Sequence, residues 1–365
     1  MNSQTNFSTF HFIRDSFKRV LPNSQAITLA LILLVGSVLI ITLSDILMPV
    51  FASVILAYLL QGLVCKLENK LPRLVSVYFV FSGFMTCLGL VLFVLMPMVS
   101  AQAVQLVQRL PEYIKTAQTE VMRLPELYPQ FISKDNIKGI MFSIQEELLT
   151  YGQEIISISA ASVVGLVTAI VYLFLVPLMV FFFLKDNKVL LEWFVQFLPR
   201  DRSLTIRVWK EVDIQIANYI RGKFVEVIIL ASASYLTFTI LGLNYAMLLA
   251  VLMGLQVVIP YVGATLVTFP VLGVATMQWG ITTDEFLYVA IAYSIIQAID
   301  GVVLVPLLFS EAVNLHPIAI IVAILFFGGF WGFWGVFFAI PLATAVKAVL
   351  NAWPTLVEIP MDRSF

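Results

Sequence analysis

Charge is scarce in this sequence. Only 12% of its 365 residues are Asp, Glu, Lys or Arg, against about a quarter in a soluble globular chain. The net charge of −1 leaves no basic excess for a nucleic-acid partner. Two cysteines, Cys65 and Cys87, are too few for a disulfide framework or a thiolate metal site. The two histidines, His11 and His316, lie too far apart in the chain for an H-E-x-x-H zinc site. There is no G-x-x-x-x-G-K-[ST] phosphate loop, no G-x-S-x-G elbow and no clustered metal ligands. These absences exclude the common enzyme classes and leave no expected metal or cofactor. Any work the chain does is driven by a gradient, by another subunit, or is passive.

What is abundant is apolar sequence: 61% of the residues are hydrophobic and the mean hydropathy is +0.99. One soluble core cannot hide that much, and several runs reach the ~18 residues needed to cross a bilayer as helix. The expected fold class is an all-α polytopic membrane protein. Spans are expected at 26–43, 46–64, 74–98, 158–184, 224–243 and 285–309. Arg14, Lys18 and Arg19 precede the first run as in a signal peptide. That run is longer than the usual ~7–15 residues and no small-x-small site follows, so it reads as a retained helix.

The polar segments set orientation. Residues 65–73 hold Lys66, Lys70 and Arg73 against Glu68, and 185–223 hold eight basic and five acidic side chains. Residues 99–157 hold five basic and seven acidic ones. Basic loops stay in the cytoplasm, so both termini, including the tail at 353–365, are expected inside and 99–157 outside. Residues 1–98 then form a three-span part, 99–157 an outer helical lobe divided by Pro111, Pro125 and Pro129, and 158–184 a fourth span. Residues 185–223 read as a cytoplasmic amphipathic segment, and 224–352 as a transport core.

Within that core two apolar stretches of 34 residues, 245–278 and 317–350, are too long for one span. The first is broken at Pro260-Tyr261-Val262-Gly263, and its flanks carry no Lys or Arg. The halves on either side, 15 residues each, reach only ~22 Å against a hydrocarbon core of ~30 Å. It is expected to dip in from outside and return, with proline and glycine setting the turn angles. The second is broken by Gly328, Gly329, Gly332 and Gly335, with Pro341 beyond. It is expected to enter from the opposite side, giving two span-plus-hairpin units of inverted topology. Open backbone at membrane depth is tolerated only inside protein or along a watery cavity, and paired broken helices often flank a transporter's substrate site.

Several residues are candidates for the pathway. Asp300 sits deep in the 285–309 run, where a charge costs at least ~2.5–3.5 kcal/mol and faces a cavity or a partner. Gln297 lies one turn earlier on the same face. Gln256, Pro260, Tyr261 and Gly263 surround the first break. Glu226 reads as a solvated helix end and His316 as a helix cap. The glycine cluster reads as a close-packing surface or hinge.

Tyr219-Ile-Arg-Gly-Lys223, Ile259-Pro-Tyr-Val-Gly263, Gln297 with Asp300 and Pro306, Leu315-His-Pro317, Gly328–Gly335 and Ala339-Ile-Pro341 follow in an order that resembles the autoinducer-2 exporter family. The resemblance implies a bacterial inner-membrane transporter, some members exporting the furanone signal and others exchanging sodium or lithium for protons. The expected function is gradient-coupled export of a small polar solute, autoinducer-2 by resemblance. A monovalent cation/proton antiporter is the alternative, and a non-transporting scaffold a third reading. Expected partners are the bilayer, a polar solute with Na+ or H+, and further copies of the chain in a homo-oligomer.

Overall fold

A computed structural model describes residues 24–121, 163–196, 203–260, 262–309 and 315–352. Those residues are helical almost throughout, with no strand among them. The helices are α1 (Ser24–Glu68), α2 (Arg73–Leu90), α3 (Met96–Val121), α4 (Val163–Lys185), α5 (Asn187–Gln196) and α6 (Ser203–Ile240). They continue with α7 (Ala246–Leu255), α8 (Val262–Trp279), α9 (Asp284–Ile299), α10 (Val305–Phe309), α11 (Pro317–Phe337) and α12 (Ala339–Ala352). Single π turns, Val91–Leu95 and Asp300–Leu304, join α2 to α3 and α9 to α10. Among the described residues, six helices are long and apolar enough to cross a membrane: Ile46–Glu68, Arg73–Lys115, Val208–Ile240, Val262–Trp279, Asp284–Phe309 and Ile318–Phe337, and the bent pair Ala169–Lys185 with Asn187–Trp193 makes a seventh if it is one span. The chain is therefore an all-α polytopic membrane protein.

The count of six matches the expectation, but its membership does not. The runs 26–43 and 46–64 are not two antiparallel spans: α1 is one uninterrupted helix of 45 residues. Ser44-Asp45 supplies neither proline nor glycine, and one polar pair does not stop a helix that apolar neighbours continue on both sides. An unbroken helix crosses once, so the parity counted from the first run does not hold. Nor does a helix end at residue 98. The π turn carries α2 into α3, and Pro111 lies inside α3 without breaking it. Proline removes one backbone donor there, while QLVQRL before it and EYIKTAQ after it sustain the flanking turns. Residues 122–157 of the expected outer lobe, like the tail at 353–365, lie outside the described residues. At Asp186 the chain bends by 83° into α5.

The chain forms two compact units. The first comprises Met1–Tyr58, Phe182–Ile220 and Glu311–Phe365. Here the Tyr58 hydroxyl donates to Asp213 Oδ1 at 2.5 Å, and the Tyr219 hydroxyl to the Phe337 carbonyl at 2.9 Å. Although α11 is continuous by its hydrogen bonds, Gly332 has φ 56° and ψ −133°, a conformation only glycine adopts freely. The chain reverses there. A Cβ on Gly335 would overlap the Phe327 carbonyl, and one on Gly328 would lie 2.7 Å from Val336 Cγ2. In a straight helix residues 327 and 335 stand ~12 Å apart, so the arms on either side of Gly332 must fold together. The helix therefore folds back at Gly332 rather than running straight to Phe337. Gly328 and Gly335 pack against their own hairpin; Gly329 is exposed with nothing near it. Pro341 is buried in α12.

The second unit comprises Leu59–Phe181 and Arg221–Ser310. Its core is built from α6, α7, α8 and α9 around Leu230, Phe238, Leu249, Met253, Val271 and Val289. The apolar face of α3 (Val99, Ala103, Leu106 and Tyr113) packs against that core, so in this part of the 99–157 segment the helix covers α7 of the same chain. Burial explains the choice: its apolar residues recur every three to four positions, and α7 offers them an apolar surface. Gly254 lets α7 approach α6, since a Cβ there would sit 2.9 Å from the Val227 carbonyl.

Candidate functional site

The broken stretch 245–278 is a pair of unequal helices, α7 with 10 residues and α8 with 18. A 3-10 turn at Gln256–Val258 and the bend through Pro260 join them. Tyr261 lies outside the described residues. Gly263 is not glycine because of its angles: its φ is not positive, contrary to the reading from sequence. Its reason is proximity, because a Cβ there would overlap the Gln256 carbonyl oxygen. The Gly263 N–H donates to the Ile259 carbonyl at 2.9 Å and the Val262 N–H to the Pro260 carbonyl at 2.7 Å. These bonds satisfy backbone groups that the break exposes.

The base of this helix pair is fastened at several points. Gln278 accepts from the Asn244 N–H at 2.8 Å and donates to the Gly242 carbonyl at 2.9 Å. Gln102 of α3 accepts from the Leu248 N–H in the first turn of α7 at 2.9 Å. Neither glutamine stood out in the sequence, because an amide near a helix end carries no local signal.

At the tip, Gln256 is 6% exposed and pairs with Gln297 of α9 in both directions, at 3.2 and 3.0 Å. Gln297 also donates to the Tyr293 hydroxyl at 2.9 Å. That hydroxyl donates to the Ala264 carbonyl at 3.0 Å and lies 2.6 Å from Thr268 Oγ1. The result is a polar chain, Gln256–Gln297–Tyr293–Thr268, inside an apolar body, tying the tip to α9. Two of the amides were legible in sequence. Tyr293 and Thr268 were not, since both occur in ordinary apolar helices.

One turn beyond Gln297, Asp300 opens the π turn. Such turns add a residue to the helix and occur often at functional sites. Asp300 faces two residues of α6. Lys223 and Glu226 form an ion pair at 2.9 Å, with side chains only 9% and 2% exposed. The Glu226 and Asp300 carboxyls interact electrostatically, and the Lys223 ammonium acts on both acids. Asp300 Oδ1 is buried without a hydrogen-bond donor. Lys223 Nζ also sits 5.1 Å from the centre of the Phe309 ring, a cation–π distance. Gly222 makes that contact close: a Cβ there would lie 2.6 Å from Phe309 Cε1.

Glu226 is thus buried and paired, not a solvated helix end; α6 begins more than 20 residues earlier, at Ser203. His316 caps α11, its Nδ1 accepting from the Ile318 N–H at 3.3 Å. The structure brings Asp300, Gln297, Gln256, Pro260 and Gly263 into the second unit, and holds Gly328, Gly329, Gly332, Gly335 and Pro341 in the first. Chemically, two carboxyls, one ammonium and a chain of amides and hydroxyls can bind a cation or hydrogen-bond a polar solute. No group of three or more His, Cys, Asp or Glu that could hold a metal ion occurs among the described residues.

Comparison with known proteins adds independent findings. The model of the AI-2E family transporter matches residues 27–355. The chain is 45% identical over 339 residues to a protein of Escherichia coli (strain K12) named "Putative permease PerM", covering 93% of this chain and 96% of that one. It is 28% identical over 316 residues to "Putative transport protein YueF" of Bacillus subtilis (strain 168), covering 85% and 84%.

Proposed function

Because the chain belongs to the AI-2E transporter family, we propose that it is a secondary transporter whose pathway runs through the second unit. It passes between the tip at Gln256–Gly263 and the α9 face bearing Tyr293, Gln297 and Asp300. The observation that carries this reading is the buried Lys223–Glu226 pair with half-buried Asp300, one turn from the amide pair. Ionic groups at such depth are costly and belong with a pathway or a partner, whereas a scaffold needs none.

The cargo is a small polar solute able to exchange hydrogen bonds with amides and hydroxyls. Autoinducer-2 export is the specific form that the family resemblance supports. The absence of a phosphate-loop motif favours coupling to a cation gradient. Two carboxyls against one ammonium specifically favour the second reading, exchange of a monovalent cation for protons. The 65–73 and 185–223 segments face the cytoplasm of a bacterial inner membrane, by their basic excess. In that orientation α7–α8 enters from outside and the hairpin at Gly332 from inside.

Flux into liposomes holding the purified protein tests both readings, with the furanone and sodium supplied in parallel. Native protein should move at least one of them in response to a sodium or pH gradient. Asp300→Asn keeps the shape and removes the charge, and should abolish the gradient dependence. Superimposable curves for the two proteins would remove Asp300 from the mechanism.

A further inference from the structure

We propose that Lys223 is a tethered counter-cation, holding the place of a transported monovalent metal cation between Glu226 and Asp300 until that cation enters. The inference deepens the reading above and rests on it for the word "transported". The charge count motivates it: one ammonium serves two carboxylates, leaving one net negative charge in a buried group. Lys223 Nζ lies 2.9 Å from Glu226 Oε2, yet that oxygen and Asp300 Oδ1 are both buried without a hydrogen-bond donor. One ammonium thus stands among more acidic oxygens than it can serve.

The chemistry of lysine fits a replaceable occupant. Its ammonium is a compact point charge on a flexible four-carbon stem, unlike the bidentate fork of arginine. The Phe309 face, 5.1 Å from Nζ, offers cation–π attraction. The backbone at Gly222 lies against that ring, so lysine anchor and aromatic face stay together. The entering ion is of a hard, oxygen-seeking kind, because the ligands facing Lys223 are the carboxyl oxygens of Glu226 and Asp300. Two carboxylates, with no third acid, His or Cys beside them among the described residues, suit a monovalent ion better than a chelated divalent one.

Equilibrium binding of radioactive sodium to the full chain in lipid nanodiscs, at one fixed pH, tests the idea without requiring transport. Native protein should bind sodium saturably. Lys223→Met removes the competitor and should tighten binding about tenfold or more, the effect of a nearby unit charge at an intermediate dielectric. Lys223→Arg should instead weaken it, because a forked donor engages both acids at once. Asp300→Asn and Glu226→Gln each leave a neutral group and should lose binding. The double variant Lys223→Met/Glu226→Gln again carries one net negative charge, and should bind where Glu226→Gln alone does not. The double variant also keeps the test decisive if Lys223→Met does not fold. The proposal is overturned if native protein binds no sodium, if Lys223→Met binds no more tightly than native, or if the double variant fails to recover binding. Intact binding with this pattern but no sodium-dependent flux would instead overturn the transport reading.

Discussion

Gly263→Ala is the smallest change that tests the tip. A Cβ at this position would lie 2.7 Å from the Gln256 carbonyl carbon and 2.9 Å from its Cα, closer still to the oxygen. Nonbonded carbons rest at ~3.5–4.0 Å, so the two sides of the bend must separate by roughly 1 Å. Overpacking of this kind costs about 1–3 kcal/mol. Gln256 cannot move by that amount and keep both bonds to Gln297, which already measure 3.2 and 3.0 Å. Losing them removes about 0.5–1.5 kcal/mol each and leaves two amides to find new partners. The unfolding midpoint, followed by the fluorescence of the six tryptophans, should fall by about 2–4 °C for each kcal/mol. Flux in liposomes should fall with it, and Gly263→Val should be worse, having the same clash plus a branched side chain. Native flux and an unchanged midpoint in Gly263→Ala would mean that the tip is loose enough to absorb a methyl group, and would sink the account of a close-packed gate.

Three further outcomes are expected. Gly332→Ala should destabilise the protein by about 1–2 kcal/mol through its φ of 56°, while Gly329→Ala, exposed with open space around it, should be silent; parallel thermal melts compare them. Gln297→Leu strands the buried Gln256 amide and should cost about 1–3 kcal/mol, whereas the double change Gln256→Leu/Gln297→Leu should recover part of that stability and none of the flux. A cysteine replacing Thr282, in a background without Cys65 and Cys87, should react with an impermeant thiol reagent added outside; labelling only from the cytoplasmic side would reverse the proposed entry of α7–α8.

Lengths, breaks and isolated polar residues were readable because each is a local departure from apolar sequence. Asp300, Gln297 and Gln256 are conspicuous in long hydrophobic runs, and Pro260 with Gly263 interrupts one. Pairing was not readable. Glu226 looked like a helix end because Lys223 and Arg221 precede it, and nothing in the sequence says that α6 buries this turn against Asp300. Tyr293 and Thr268 are compatible with any membrane helix until a tip is packed on them. The glycines misled in opposite ways: Gly263 is required by a neighbour's carbonyl rather than by its own dihedral angles, whereas the dihedral requirement falls on Gly332. The 26–43 and 46–64 runs were separated on polarity at Ser44-Asp45, yet backbone hydrogen bonding there is satisfied within one helix and needs no turn.

The π turn at Asp300–Leu304 has a genetic consequence. Relative to α-helical winding it holds one surplus residue, so deleting a single codon within it would let α9 and α10 fuse into one regular helix. The two ends would keep nearly the same relative rotation, because the wider turn already absorbs the surplus residue; closing the turn without a deletion would instead rotate them by about 100°. A single-residue deletion at this turn should thus be tolerated better than one in the flanking α-helical turns, where it would rotate all that follows by about 100°. Relatives that lack the surplus residue should reveal themselves by an alignment gap within these five positions while keeping the lysine that meets Asp300.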